Sequence, residues 1–273
     1  MEEQQQEMSF LGHLEELRWH LVRSVASIFI LAIIFFAFAT EVYNHFLLAH
    51  IKPDFITYQL FCDFFNLFGM DSAFCNVSFV DKKLQSIKVT SQLMNSIWSS
   101  LILGLIVSFP YILWEIWRFV SPGLTSKEIK KSRGFIFIAS TLFFIGVLFS
   151  FYIIAPISIH FLYNYQITDA IENSFTLESH IGLVTNMLLG VSILFELPVL
   201  IYFLTKIGLI TPEFLKKYRK HALVVVLILA AIITPPDVAS QVIVAIPILI
   251  LYEIGIKVSR RVIKKQEKNA NKS

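Results

Sequence analysis

Six long apolar stretches leave this chain few ways to fold. They run over about 24–40, 89–114, 134–158, 181–205, 221–234 and 239–256, and the first reads SVASIFILAIIFFAFAT between Arg23 and Glu41. A helix rising ~1.5 Å per residue needs about 20 apolar residues to cross a hydrocarbon core of ~30 Å. Inside that core the backbone must satisfy its own hydrogen bonds, which a helix does alone. The expected fold is therefore all-α: a polytopic membrane protein with six transmembrane helices, a single domain over 1–273 and a basic tail over 258–273. With 56% hydrophobic and 16% charged residues, against about 25% charged in an ordinary soluble domain, the composition excludes a simple globular protein. MEEQQQEMSF has neither a basic start nor a cleavage site, so the first stretch is expected to stay attached.

The basic residues orient the spans. If both termini lie in the cytoplasm, all but Lys52, Lys82, Lys83 and Lys88 of the 23 Lys and Arg fall on the cytoplasmic side. The positive-inside rule thus selects an N-in, C-in layout. The tail, SRRVIKKQEKNANKS, is basic and polar, is expected to be mobile, and suits anionic headgroups. The first outer loop, about 49–85, holds Cys62 and Cys75. On the oxidising side of a membrane these could pair as a disulfide, or remain two thiols in an aromatic cluster.

Several spans are unusual. The fifth, His221 to Thr234, is only about 21 Å long as a helix, so the bilayer thins there, the helix is sheltered in the bundle, or Tyr218 and lysine stems extend it. Gln92, Asn95, Ser96 and Ser99 form a polar stripe that either hydrogen-bonds other helices or lines a wet cavity. Glu196, two residues before Pro198, is an intramembrane carboxylate; such a group costs roughly 2.5–3.5 kcal/mol to insert, which points to a role. Pro110, Pro156, Pro198 and Pro247 are expected to bend their helices, and bent helices can build a concave wall.

Two acids stand on the face that topology makes basic. His13, Glu16, Leu17 and His20 share one side of a helix, with Glu15 turned away. A metal site from His13, Glu16 and His20 has no evident fourth ligand, so no metal is expected. Glu128 lies among Lys127, Lys130 and Lys131, just after a helix start that Ser126 can cap; a first-turn glutamate there also suits the helix dipole. Together Glu16 and Glu128 suit a cationic ligand, above all guanidinium groups, which meet carboxylates as a bidentate fork.

His13-Leu14-Glu15-Glu16-Leu17-Arg18 resembles the HLxELR signature of the TatC family, the receptor subunit of the twin-arginine protein translocase. The resemblance continues in Phe119, Pro122-Gly123-Leu124 and Glu128, in Phe195-Glu196-x-Pro198, and in Thr234-Pro235-Pro236-Asp237 with Gln241. Glu115 departs from it, standing where the family often has glutamine. The resemblance implies a concave, glove-like bundle that binds twin-arginine signal peptides of folded cargo at its cytoplasmic side. Glu16 and Glu128 would contact the two arginines beside Phe119, with His13, Leu17 and Pro122 in the same site and Arg18 holding it together. Glu196 would meet small single-span subunits of the TatA and TatB type, and Gln92, Asp237 and Gln241 complete the polar positions to be considered. Also implied are a homo-oligomer within the complex, a bacterial cytoplasmic membrane location, the proton-motive force as energy source, and no enzyme activity, cofactor or nucleic-acid partner.

Two other classes compete. A proton- or cation-coupled secondary transporter could use Glu196 as carrier, but no inverted repeat or pair of broken helices is evident. A membrane enzyme would need a motif such as HExxH or GxSxG, and none occurs.

Overall fold

The structure, a computed structural model, describes residues 10–69, 75, 84–120, 126–168, 170–171, 173–234 and 238–270, with side chains described for all of these except 10–14, 120, 126–133, 238–239 and 269–270. The helices follow in order as α1 (Phe10–Ala37), α2 (Ala39–Val42), α3 (Ile56–Leu67), α4 (Ser91–Val120), α5 (Ser126–Phe149) and α6 (Ala155–Asn164). They continue as α7 (Leu177–Phe195), α8 (Leu197–Lys206), α9 (Pro212–Lys217), α10 (Arg219–Ile233) and α11 (Val238–Ala270). π-Helical turns cover Tyr43–Leu47 and Ser150–Ile154, and a 3-10 turn covers Ala49–Ile51. Among the described residues the only extended pairing is a parallel bridge between Gln85 and Thr176.

Among the described residues, five stretches are long and apolar enough to cross a bilayer: Glu15–Ala37, Ser91–Phe119, Gly134–Asn164, Leu177–Lys206 and Ser240–Lys268. The remaining expected span falls on α10, whose 15 residues cover about 22 Å. Val226 and Ala230 are buried, but Leu223, Val224, Val225, Ile228 and Ile232 are exposed. The expected mobile tail is instead the end of α11, which runs unbroken to Ala270. Its Lys, Arg, Glu and Gln residues are good helix formers. Ser259 also accepts from Thr205 at 2.8 Å, and Gln266 donates to the Lys206 carbonyl at 3.1 Å.

The chain divides into two compact units. The first, Met1–Ala39 with Ser96–Thr141, contains α1, most of α4 and the start of α5. α1 and α4 touch through Gly104, where a Cβ would sit 2.8 Å from the Ile28 carbonyl oxygen and 2.9 Å from the Ala32 nitrogen. Only a residue without a side chain allows that approach. The second unit, Thr40–Asn95 with Leu142–Ser273, is centred on Ile154, Met187, Val191, Val226, Val244 and Ile248, drawn from the π turn after α5 and from α7, α10 and α11.

The prolines act in two ways. Pro110 and Pro247 lie inside α4 and α11, whereas Pro156 and Pro198 sit in the first turns of α6 and α8. Pro156 has no N–H to return to the Tyr152 carbonyl four residues back. The helix passes this point as the Ser150–Ile154 π turn, and the first inter-span loop supplies the missing donors. Thr57 donates to the Tyr152 carbonyl at 2.5 Å, and His50 Nε2 to the Phe151 carbonyl at 2.8 Å. Tyr58 donates to the carbonyls of His50 and Pro156 at 2.8 and 3.3 Å. His180 Nε2 donates to the Leu47 carbonyl while its Nδ1 accepts from Tyr163. Cys62 and Cys75 are joined as a disulfide. The polar stripe of α4 bonds largely to its own helix: Asn95 donates to the Ser91 carbonyl and Ser99 to that of Ser96, while Gln92 is exposed.

Two outcomes are expected. Gly104→Val forces α1 and α4 apart and costs about 1–3 kcal/mol; in detergent its unfolding temperature should drop clearly, and an unchanged midpoint would remove the close contact. Burial, aided by the nearby His180, holds the His50 imidazole down to about 4 from 6.5. The unfolded chain therefore takes up the proton first. Stability is complete above about pH 6.5 and drains as pH falls toward 4, by at most ~3 kcal/mol. His50→Gln can still donate to the Phe151 carbonyl and should flatten this dependence, whereas parallel melting curves for both proteins would assign it to other groups.

Candidate functional site

Both acidic positions of the sequence lie in the first unit, on helices that run past their apolar stretches. α1 starts at Phe10, well ahead of Arg23, and α4 continues through Trp114 to Val120. In these extensions the two helices meet through a polar cluster. Glu115 is buried, at 1% exposure, and takes four partners. His20 Nδ1 is paired closely with one carboxylate oxygen, and the Tyr111 hydroxyl donates to the other at 2.9 Å. Arg118 lies 3.6 Å and Arg23 3.9 Å away, both half exposed. Burial alone would penalise the Glu115 charge, so these cations and donors are what let it lie inside.

This cluster places the ring of His20 6.2 Å, edge on, from that of Phe119. Glu16 is one helical turn before His20 on α1, and Phe119 is one turn beyond Glu115 on α4. Both are partly buried. Glu16 and Phe119 thus stand at neighbouring levels, directly above a braced helix pair. Trp117 is buried and packs on Phe135 of α5 with ring centroids 5.5 Å apart. Glu128 occupies the first turn of α5, about two turns before Phe135. Its side chain, and that of His13 in α1, lie outside the described residues, as does Pro122 altogether.

Arg18, expected to hold the site together, is exposed and pairs with Glu15 at 3.3 Å, three residues back on α1. Arg23, Arg118 and His20 gather around Glu115. Leu17 is 40% exposed on the surface of α1. Among the described residues no group of three or more His, Cys, Asp or Glu side chains is arranged to hold a metal.

Glu196 marks a second feature. It ends α7 and begins α8, with Val199 and Leu200 donating to its backbone carbonyl at 2.9 and 3.0 Å. Pro198 cannot continue the α7 ladder, so the break, and the carboxylate with it, is fixed by sequence. The Glu196 carboxylate oxygens are buried and make no hydrogen bond of full geometry among the described residues; the Phe143 backbone is a polar neighbour. Gln241 donates to the Leu227 carbonyl at 3.0 Å and Ser158 to Ser240 at 2.6 Å, tying the start of α11 to α10 and α6. Asp237 lies outside the described residues.

The model of the family "Sec-independent protein translocase protein (TatC)" matches residues 12–247. The chain belongs to the TatC family. A Sec-independent protein translocase protein TatC of Blattabacterium sp. subsp. Periplaneta americana is 41% identical over 266 residues, covering 97% of this chain and all of that protein. The TatC of Carboxydothermus hydrogenoformans is 36% identical over 254 residues, 93% of each chain. A crystal structure of the twin-arginine translocase receptor TatC superposes with a TM-score of 0.69 at 32% identity, covering 92% of this chain and 99% of the other. A second, determined in DDM, gives 0.70 at 31% identity. TatC proteins are non-enzymatic components of protein transport, and this member is a multi-pass protein of a bacterial membrane.

Sequence reasoning located Glu115 only as a departure from the family pattern. Its role depends on the register of α1 against α4, which no local pattern states. Glu115→Leu leaves Tyr111 and His20 without their acceptor and is expected to cost about 1–3 kcal/mol. Glu115→Gln keeps an acceptor for both and should cost less. Thermal unfolding of the two variants in detergent checks this, and equal midpoints would mean that the cluster does not brace the helices.

Proposed function

We propose that this protein is the receptor of a twin-arginine translocase, binding the signal peptides of folded cargo through Glu16 and Glu128 at the cytoplasmic ends of α1 and α5. The observation that supports this most is the partly buried Glu16, one turn before the His20 whose ring meets Phe119 in the cluster that joins α1 to α4. Glu115 is consumed internally by its two arginines, histidine and tyrosine. Glu16 and Glu128 are the acids that would receive guanidinium groups, each as a bidentate, charge-assisted pair. Phe119, Leu17, His13 and Pro122 would form the apolar and polar surroundings of the arginine pair. The apolar segment of the signal peptide would dock on the lipid-facing helices.

The N-in, C-in layout follows from the distribution of Lys and Arg and puts this site where unexported protein arrives. Glu196, buried at the α7–α8 break, is the contact for single-span subunits of the TatA and TatB type, with Gln92, Asp237 and Gln241 as further polar positions. Transport draws on the proton-motive force, and several copies of this chain act in one complex.

Binding of a labelled twin-arginine signal peptide to the purified protein in nanodiscs tests the reading. Replacement of both arginines by lysine, or Glu128→Ala or Glu16→Gln in the receptor, should each weaken binding at least tenfold, ~1.4 kcal/mol. Equal binding throughout would leave only apolar contact and overturn the assignment of the acids.

A further inference from the structure

The 12-residue helix α3, in the loop between the first two spans, has two faces with different fates. Thr57 and Tyr58, in its first turn, are buried and bonded to the carbonyls of Tyr152, His50 and Pro156. Beside them Ile56, Leu60, Phe64 and Leu67 recur at helical spacing in one row, with Phe68 just beyond the helix. All five are at least half exposed, from 52% to 80%. Gln59, Asp63 and Asn66 flank this row along one edge of the exposed face, and the buried or half-buried Thr57, Tyr58, Phe61 and Phe65 lie behind it. Cys62 lies beyond that polar edge and is bonded to Cys75. Cys75 also lies against the Asn66 side-chain oxygen, at 4.0 Å.

The depth of α3 says what covers the row. The charged residues before the Gly134–Asn164 span end at Arg133. Tyr152 follows Gly134 by about 27 Å of helix and Pro156 by about 33 Å. A hydrocarbon core of ~30 Å that starts at Gly134 therefore ends between them. Thr57 and Tyr58 bond to these two levels, so the start of α3 is pinned at the boundary of the core. The apolar row is also continuous with a lipid-facing surface. Ile145, Leu148 and Tyr152, at helical spacing along the span, are exposed at 47%, 55% and 43%. Phe55, immediately before α3, stacks on Tyr152 with ring centroids 6.0 Å apart.

We propose that α3 is an interfacial lipid-binding helix, with Ile56, Leu60, Phe64 and Leu67 inserted among the acyl chains of the leaflet at the far end of the Gly134–Asn164 span. An amphipathic helix lying at this boundary buries its apolar side ~5–10 Å below the headgroups and keeps its polar side in water. Here the hydrogen bonds to the π turn set its depth. The helix thereby fixes the loop, and the ends of the spans it joins, relative to the bilayer surface.

Both native cysteines are paired, so one introduced cysteine is the sole free thiol of the full-length protein. Leu60→Cys, Phe64→Cys, Gln59→Cys and Asp63→Cys proteins are each labelled with a nitroxide and placed in phosphatidylethanolamine–phosphatidylglycerol liposomes. Spin counting verifies one label per chain. Collisions with oxygen, which partitions into lipid, are compared with those of a water-soluble nickel chelate. The proposal expects oxygen to exceed the chelate severalfold at positions 60 and 64, with the reverse at 59 and 63. It is overturned if the chelate reaches position 60 as readily as 59, which makes the row an aqueous surface. It is equally overturned if both reagents are excluded there, or if dipolar broadening appears, because a protein or a second copy of this chain then covers the row.

Discussion

No backbone or side-chain polar group within a bilayer can turn to water, and much of this structure follows from that constraint. Pro156 removes one donor from a membrane helix, and its consequences reach far along the chain. The helix takes a π turn, and Thr57, His50 and Tyr58 supply donors to the carbonyls around it. A loop that might have been a loose connection is thereby seated on the span. His180 and Tyr163 extend the same bonding from α7 and α6 to the Leu47 carbonyl. Pro198 obeys the same rule with another outcome, ending α7 and restarting the chain as α8 around Glu196.

Charge is handled with similar economy. Glu115 is nearly inaccessible, yet Arg23, Arg118, His20 and Tyr111 converge on it. Such a cluster contributes less to net stability than to register, because desolvation offsets most of the attraction. What it secures is the level at which α1 meets α4, and so the levels at which Glu16 and Phe119 stand. Gly104 serves the same contact deeper along the pair, by letting α4 approach the α1 backbone. The receptor reading needs both, since a bidentate contact tolerates little displacement of its carboxylate. Glu196 is the contrasting case, a buried acid for which the described chain supplies no comparable partners.

α10 is shorter than a hydrocarbon core is thick. Its lipid-facing residues are exposed, and Arg219 pairs with Glu253 at 2.7 Å to hold one end against α11. Gln241 ties α11 to the Leu227 carbonyl of α10, and Ser240 ties it to Ser158 of α6. A short membrane helix is met by a thinner bilayer, by snorkelling side chains at its ends or by association with other helices. Local thinning is the response that suits a protein whose family moves other proteins across membranes.

The sequence by itself determined the membrane class, the helical fold and the residues of the family signature. Those properties come from local runs: apolar length, proline position and the order of short motifs. It also identified Cys62 and Cys75 as candidates to pair, and α10 as too short. Its mobile tail became the end of α11, because the tertiary contacts of Ser259 and Gln266 are invisible in a basic, polar composition. Only helix register could bring Arg23, Arg118 and His20 together around Glu115. The tertiary structure likewise decided which carbonyls Thr57 and His50 would reach, about 100 residues away in sequence. Local pattern says which groups need a partner; only the packed chain determines which group arrives.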